Sequence, residues 1–129
     1  MYKIEFYEKD GESQIFEFLE DLRKRKDTNK DARIQYAQAT SYIQLLSDNG
    51  TRGLPKSIAE HLGDGIWELR PGNNRVFFFF FDDDGSFILL HQFRKKSQKT
   101  PPNELKRAKN ERSDYMQQHK KTKNRKADD

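Results

Sequence analysis

The sequence predicts an α+β fold: an antiparallel sheet packed on a helical hairpin and followed by a C-terminal helix, in the order β-α-α-β-β-β-α. Three observations carry this expectation. Apolar residues recur at threes and fours over two stretches of the first fifty residues, the spacing of amphipathic helices. Short apolar runs separated by PGNN and DDDGS fill residues 66–93, the pattern of strands joined as hairpins. A segment opening with TPPNE then shows the signals of a helix start. A length of 129 residues suits one modest core. Residues 1–118 are expected to form that domain, and the lysine-rich stretch 119–129 a basic, disordered tail.

Residues 2–7, YKIEFY, alternate as a strand with Ile4 and Phe6 on one face. Beyond Gly11, Ile15, Phe18, Leu19 and Leu22 fall on one helical stripe with charges opposite, and Ser13 or Asp10 serves as its cap. A second helix is expected from about Asn29 to Asn49, because Ala32, Tyr36, Ala39, Ile43 and Leu46 recur at helical spacing and Gly50 follows as a stop signal. The two make a hairpin. Residues 50–65 hold four glycines and a proline and read as a loop, with at most one short turn or strand at Ile58 to Leu62. Three strands follow, Ile66–Arg70, Arg75–Phe81 and Phe87–Phe93. In the last helix Thr100 is the expected N-cap, Pro101 the first helical position and Glu104 part of the first turn, with Leu105, Ala108, Tyr115 and Met116 on the inner face.

Phe77 to Phe81 place half of the ten phenylalanines in one unbroken row of a chain that is 36% charged. A central strand of a meander covered on both faces tolerates apolar residues at every position. Val76, Phe78 and Phe80 then face the helical hairpin, while Phe77, Phe79 and Phe81 face the other side. On that second side they form the floor of a site, or a surface covered by a partner or by the C-terminal helix. Arg75 before the row and Asp82, Asp83 and Asp84 after it act as gatekeepers against aggregation. The three aspartates read as a turn before Gly85, since adjacent carboxylates on a tight turn do not converge on one ion.

Composition excludes several classes of function. With no cysteine there are no disulfides, thiolate zinc sites or cysteine nucleophiles, which suits a reducing cytoplasm. No apolar stretch approaches the roughly 20 residues of a membrane helix, and MYKIEFYEKD has no signal-peptide core. A cytoplasmic, membrane-free protein is expected. Residues 1–93 carry 12 Lys and Arg against 16 Asp and Glu, a balance of −4, whereas residues 94–129 carry 13 against 5, a balance of +8. A basic third on an acidic body suits a polyanion or an acidic protein partner. P-loop, HExxH, Rossmann glycine fingerprint and metal-ligand spacing are all absent, so no metal or cofactor is expected. A serine triad has no support either. What remains is RNA-type chemistry, in which a ribose 2′-hydroxyl attacks its own phosphate and the protein supplies cationic stabilisation and proton transfer.

The residues suited to that chemistry cluster around ELRPGNNRV. If Pro71 to Asn74 form the loop, Arg70 lies opposite Arg75 and Glu68 opposite Phe77, with Trp67, Leu69, Val76 and Phe78 on the core face. Two opposed guanidiniums repel, so either an anion bridges them or Glu68 or a helix carboxylate neutralises one. Arg94, Lys95, Lys96 and Lys99 follow directly on the third strand of the meander, bringing five or six cations to one edge of the sheet. His91 depends on the turn before it. A three-residue turn places it on the Arg70 and Arg75 face, and a two-residue turn places it in the core. His61 and His119 have weaker claims.

The stretch LGDGIWELRPGNNRVFFFFF, followed by FILLHQFRKKSQKTPPNELKRA, resembles the HigB-like, phage-derived branch of the RelE/ParE toxin superfamily of bacterial type II toxin–antitoxin systems. The resemblance is carried by LGDGIWELR, by Arg75 opening its strand and by the HxFxKKxQKTP pattern. It implies a RelE/ParE-like toxin that enters the A site of the 30S ribosomal subunit and cleaves mRNA there, a ribosome-dependent and metal-independent endoribonuclease. It also implies a helix-turn-helix, HigA-like antitoxin partner and hence a hetero-oligomer. Carried over by position, the catalytic roles fall to Arg70, Arg75, Lys95 and Lys96, with His91 for proton transfer. Contacts to RNA or phosphate fall to Arg94, Lys99, Glu68 and Lys106. The pattern departs from RelE at two places: Glu68 stands on the strand where those toxins place a lysine, and Pro102 lies near the position of their catalytic tyrosine. Two other functions remain open, a ParE-like toxin that inhibits DNA gyrase without cutting RNA, and a non-catalytic module that binds an acidic partner through the basic third.

Overall fold

Five strands and three helices form in the computed structural model, which describes the backbone of residues 1–128 and the side chains of residues 1–120. In chain order they are β1 (Lys3–Phe6), α1 (Gln14–Arg25), α2 (Lys30–Asn49), β2 (Ala59–Gly63), β3 (Ile66–Leu69), β4 (Asn74–Phe81), β5 (Ser86–Arg94) and α3 (Pro102–Asp128). Ser13, in extended backbone, caps α1 by accepting the Phe16 N–H at 3.1 Å, and Asn29 caps α2 by accepting the Ala32 N–H at 2.9 Å. Gly50 ends α2 at φ 66°, its N–H reaching the Leu46 carbonyl at 2.9 Å. A Cβ there would approach the Tyr2 ring to 2.8 Å, so the close approach of the N-terminus also demands glycine.

The sheet runs in the order β1-β5-β4-β3-β2. It departs from the sequence expectation in two ways. First, β1 pairs with β5 in parallel, which makes the sheet mixed rather than antiparallel. Alternation within YKIEFY reports a strand but carries nothing about the direction of a neighbour more than eighty residues away. Second, the short strand allowed for at Ile58 to Leu62 forms as β2 and adds a fourth strand after the helices to the expected order, antiparallel to β3 with a register shift between His61 and Gly63. The glycines that suggested a loop build the tight hairpin instead: Gly63 and Gly65 sit at φ 112° and 76°, with Asp64 at 52° between them. In β3–β4 the register is the expected one, Glu68 opposite Phe77 and Leu69 opposite Val76.

Two apolar clusters lie on the two faces of the sheet. Ile15 of α1 and Leu46 of α2 pack on Leu69, Val76, Phe78, Phe87 and Leu89. On the other face Ala108 of α3, with Leu105 and Tyr115 at its margin, packs on Tyr7, Ile66, Phe77, Phe79, Phe81, Ile88 and Leu90. The phenylalanine row is therefore covered on both sides, and the C-terminal helix is what covers Phe77, Phe79 and Phe81. Phe80, at the end of the hairpin-facing side, remains 39% exposed beside Tyr2 and Phe87. Met116, expected on the inner face of the last helix, is 46% exposed, so the stripe read from the sequence overestimates that face by one position. The helix runs on through the stretch set apart as a tail, as far as Asp128, and Asp129 lies outside the described residues. No described helix is long and apolar enough to cross a membrane.

The position of His91 is decided by a β-bulge. The β4–β5 ladder starts at Phe81 opposite Ser86, leaving a four-residue turn, and a regular ladder from there would set His91 opposite Val76 on the helical-hairpin face. A register shift between Phe77 and Phe78 moves the pairing by one residue, so His91 faces Phe77 and turns towards α3. Neither turn length considered from the sequence is the one found, and the bulge has no local signature in FILLHQF.

Candidate functional site

Where the β3–β4 turn meets the end of β5, a polar pocket opens on the α3 side of the sheet. Glu68, Arg70, Arg75 and Phe93 form its floor, and the segment Lys95–Pro101, which carries the chain from β5 to α3, forms its rim. The strand register explains the floor. Glu68 opposes Phe77 and Arg75 opposes Phe93, so these side chains rise from the same face as the α3-side core and continue it outward into polar ground.

The centre of the floor is a carboxylate. Glu68 is only 3% exposed. Its Oε1 lies 3.4 Å from Arg75 Nε, and its Oε2 lies 3.5 Å from Arg70 Nη2 and accepts from the Thr100 hydroxyl, also at 3.5 Å. Of the two readings left open by the sequence, the neutralising one holds: Glu68 stands between the opposed guanidiniums. Thr100 consequently does not cap α3. The helix starts at Pro102, and the Pro101 carbonyl accepts its first backbone N–H groups, from Glu104 at 3.1 Å and Leu105 at 3.3 Å.

The two arginines differ in what they have left to offer. Arg70 Nη2 also pairs with Glu60 of β2, Nη1 donates to the Lys56 carbonyl at 3.2 Å, and Nε is buried without a partner among the described residues. This side chain ties β2, β3 and the preceding loop together. Arg75 donates through Nη1 to the carbonyls of Gly72 and Asn74, both at 2.8 Å, and through Nε faces Glu68 at 3.4 Å, which leaves Nη2 without a partner among the described residues. Burial pushes the Arg75 guanidinium below its usual value; the Glu68 charge opposes this and the Arg70 charge adds to it. An arginine so shifted remains charged at neutral pH. Glu60, Glu68, Arg70 and Arg75 thus balance one another, and the uncompensated charge of the pocket belongs to the rim. Among the described residues no carboxylate is in ion-pair contact with Lys95, Lys96 or Lys99.

A family model described as "Phage derived protein Gp49-like (DUF891)" matches residues 17–113, well over half of the chain and every residue of the pocket. The chain belongs to the Gp49-like family. A chain in the crystal structure of the archaeal RelE–RelB complex from Pyrococcus horikoshii OT3 is similar at a TM-score of 0.48 with 14% sequence identity, over 76% of this chain and 98% of that one. No curated protein matches the sequence.

In this Gp49-like protein the remaining residues expected at the site are placed elsewhere. His91 is fully buried beneath α3, its Nδ1 2.5 Å from Glu111 Oε1 and its Nε2 3.5 Å from Glu104 Oε1, with its ring edge-on to Phe77. The bulge that brings it to the α3 side also places it behind Phe93, inside the core rather than in the pocket. Arg94 turns to the opposite face with its pairing partner Asn74, whose amide bonds Gln35 of α2 at 3.0 Å. Lys106 is exposed on α3 and does not line the pocket. Glu68 lies in the pocket, but as the buried counter-charge of the arginines rather than as a group facing a phosphate. His61 accepts the Gly65 N–H at 3.1 Å, and His119 packs on Phe81 with Asp84 at 3.8 Å.

Sequence reasoning missed Glu60 and Thr100. Glu60 pairs directly with Glu68 across β2–β3, and the signal for it was the Gly-Asp-Gly at 63–65, which marks a hairpin as well as a loop. Thr100 carried a competing signal, since a threonine before two prolines is also a good helix cap.

Proposed function

We propose that this protein is the toxin of a bacterial type II toxin–antitoxin system, of the HigB-like branch, and that it cleaves mRNA on the translating ribosome without a metal ion. The observation that supports this reading is the pocket: Lys95, Lys96 and Lys99, which have no carboxylate in ion-pair contact among the described residues, line the same cavity as the Arg75 guanidinium. An RNA phosphodiester is the polyanion such a pocket suits. Membership of the Gp49-like family and the LGDGIWELR and HQFRKKSQKTP patterns support the same reading.

In the reaction the 2′-oxygen loses its proton and bonds to the adjacent phosphorus, the bond from phosphorus to the 5′-oxygen of the next nucleotide breaks, and that oxygen takes up a proton. The products are a 2′,3′-cyclic phosphate and a free 5′-hydroxyl. Negative charge accumulates on the phosphoryl oxygens in between. Arg75 and the lysines act there, because fixed cations at a developing charge stabilise the transition state more than the ground state. A lysine ammonium is also a donor for the departing 5′-oxygen. His91 has no part in this scheme, being buried away from the pocket. A helix-turn-helix antitoxin would neutralise the toxin in a hetero-oligomeric complex.

The test is induction in a bacterial host beside an Arg75→Ala variant, with 5′ ends of cellular mRNA mapped by primer extension. New ends at codon-spaced positions in translated frames, absent in the variant, are expected. Arrested growth with intact mRNA would overturn the nuclease reading.

A further inference from the structure

Neutralising the opposed arginines accounts for the charge of Glu68 but not for its place at the centre of a pocket suited to an anion. A site for an anion gains nothing electrostatically from a carboxylate at its centre, and burying one is costly unless it is well paired. Glu68 is nonetheless the most enclosed polar group of the pocket, and its two oxygens touch three of the pocket's walls: Arg75 through Oε1, Arg70 and Thr100 through Oε2. Thr100 belongs to the rim that carries the lysines, so one carboxylate connects the floor to the loop.

We propose that Glu68 is a positioning residue, fixing the Arg75 guanidinium so that Nη2 alone is presented to a phosphate held by Lys95, Lys96 and Lys99. This rests on the reading of the pocket as a phosphodiester site. The orientation of Arg75 is restrained by its partners. Two backbone carbonyls hold Nη1 and the Glu68 carboxylate lies 3.4 Å from Nε as an ion pair, so the planar fork is restrained on two sides and Nη2 is the nitrogen without a partner among the described residues. Arg70, locked between Glu60, Glu68 and the Lys56 carbonyl, keeps Glu68 from swinging towards the solvent. The arrangement gives up net positive charge in return for direction, which serves a transition state better than a ground state.

Charge and orientation predict opposite results for Glu68→Gln. On charge alone the variant is more cationic and binds RNA and cuts it at least as well as the wild type. On orientation, binding of a short single-stranded RNA is unchanged or tighter, while mRNA cleavage after induction falls about 100-fold, the usual size of the loss when one transition-state donor is misaligned. A second measurement does not depend on cleavage. In nitrogen-15 spectra the Arg75 Nε–H signal of the wild type should be sharp, slowly exchanging and shifted by inorganic phosphate; in Glu68→Gln it should broaden and lose its response. Should the wild type cut no mRNA, the nuclease reading fails and the phosphate titration alone decides the role of Glu68. An equal Arg75 response in both proteins, or RNA binding lost together with cleavage, would overturn the proposal. Should Glu68→Gln not fold, Arg75→Lys takes its place: it keeps the charge and cannot be clamped, so cleavage retained in that variant would refute the role of orientation.

Discussion

Replacing the five phenylalanines of β4 one at a time by alanine tests the two-sided burial of this strand. Phe77 and Phe78 are 0% exposed, Phe79 and Phe81 are 4% exposed, and Phe80 is 39% exposed. Truncating a fully buried phenylalanine removes its transfer free energy and leaves a cavity, at a cost of about 3–5 kcal/mol. Phe77 also loses edge-on contacts with His91 at 5.4 Å and Phe93 at 5.2 Å, which sets it towards the upper end. Phe80 lines an open groove with Tyr2, Trp67 and Phe87, so water fills the space its ring leaves, and the expected cost is about 1–2 kcal/mol. For a chain of 129 residues, an unfolding entropy of about 2.1 cal/mol/K per residue converts 4 kcal/mol into a fall in Tm of roughly 15 °C. Urea denaturation followed by circular dichroism measures the series, with unchanged m values certifying that the same two states are compared. A Phe80→Ala variant as destabilised as Phe77→Ala would refute the reasoning, because it would show that the groove is closed to water. A mild Phe79→Ala or Phe81→Ala would show that α3 does not cover the second face.

Alkaline pH should destabilise the protein through two phenols. Burial first, and then hydrogen bonds to Asp114 at 2.5 Å and Glu5 at 2.7 Å, raise Tyr7 and Tyr115 well above the usual tyrosine range. A raised folded-state value means that the stabilisation is intact below about pH 10 and is lost as pH rises beyond it, so urea midpoints should fall from there, and Tyr7→Phe and Tyr115→Phe should each flatten the fall. A midpoint independent of pH between 9 and 11 would contradict this. If Lys95, Lys96 and Lys99 each meet a phosphate of single-stranded RNA, alanine at any one should reduce the slope of log K against log salt by about 0.7; an unchanged slope would remove that lysine from the interface. Gly50→Ala should cost about 1–2 kcal/mol, from a left-handed backbone and a Cβ pressed against Tyr2, and a neutral result would mean that the N-terminus moves aside freely.

The elements were largely legible because each rests on short-range chemistry. Ser13 and Asn29 cap helices where the apolar period begins, and PGNN sets a register in which Leu69 meets Val76. The same local logic explains the errors. Thr100 has the composition of a cap, but Glu68 offers its hydroxyl a partner thirty-two residues away. The Gly-Asp-Gly at 63–65 reads as a loop, and only pairing with β3 makes it the turn of a hairpin that delivers Glu60 to Arg70.

By itself the amino-acid sequence determined the fold class, the strand that had to be buried on both faces, and the collection of Arg70, Arg75 and the lysines at one end of the sheet, since periodicity, turn chemistry and charge act over a few residues. Tertiary structure alone decided which of those cations remain free. That outcome depends on a bulge that sends His91 under α3, on a parallel partner for β1, and on a carboxylate placed between two arginines. Each is a contact between residues distant in the chain, and its free energy exists only once the packed sheet and helices hold both partners in place.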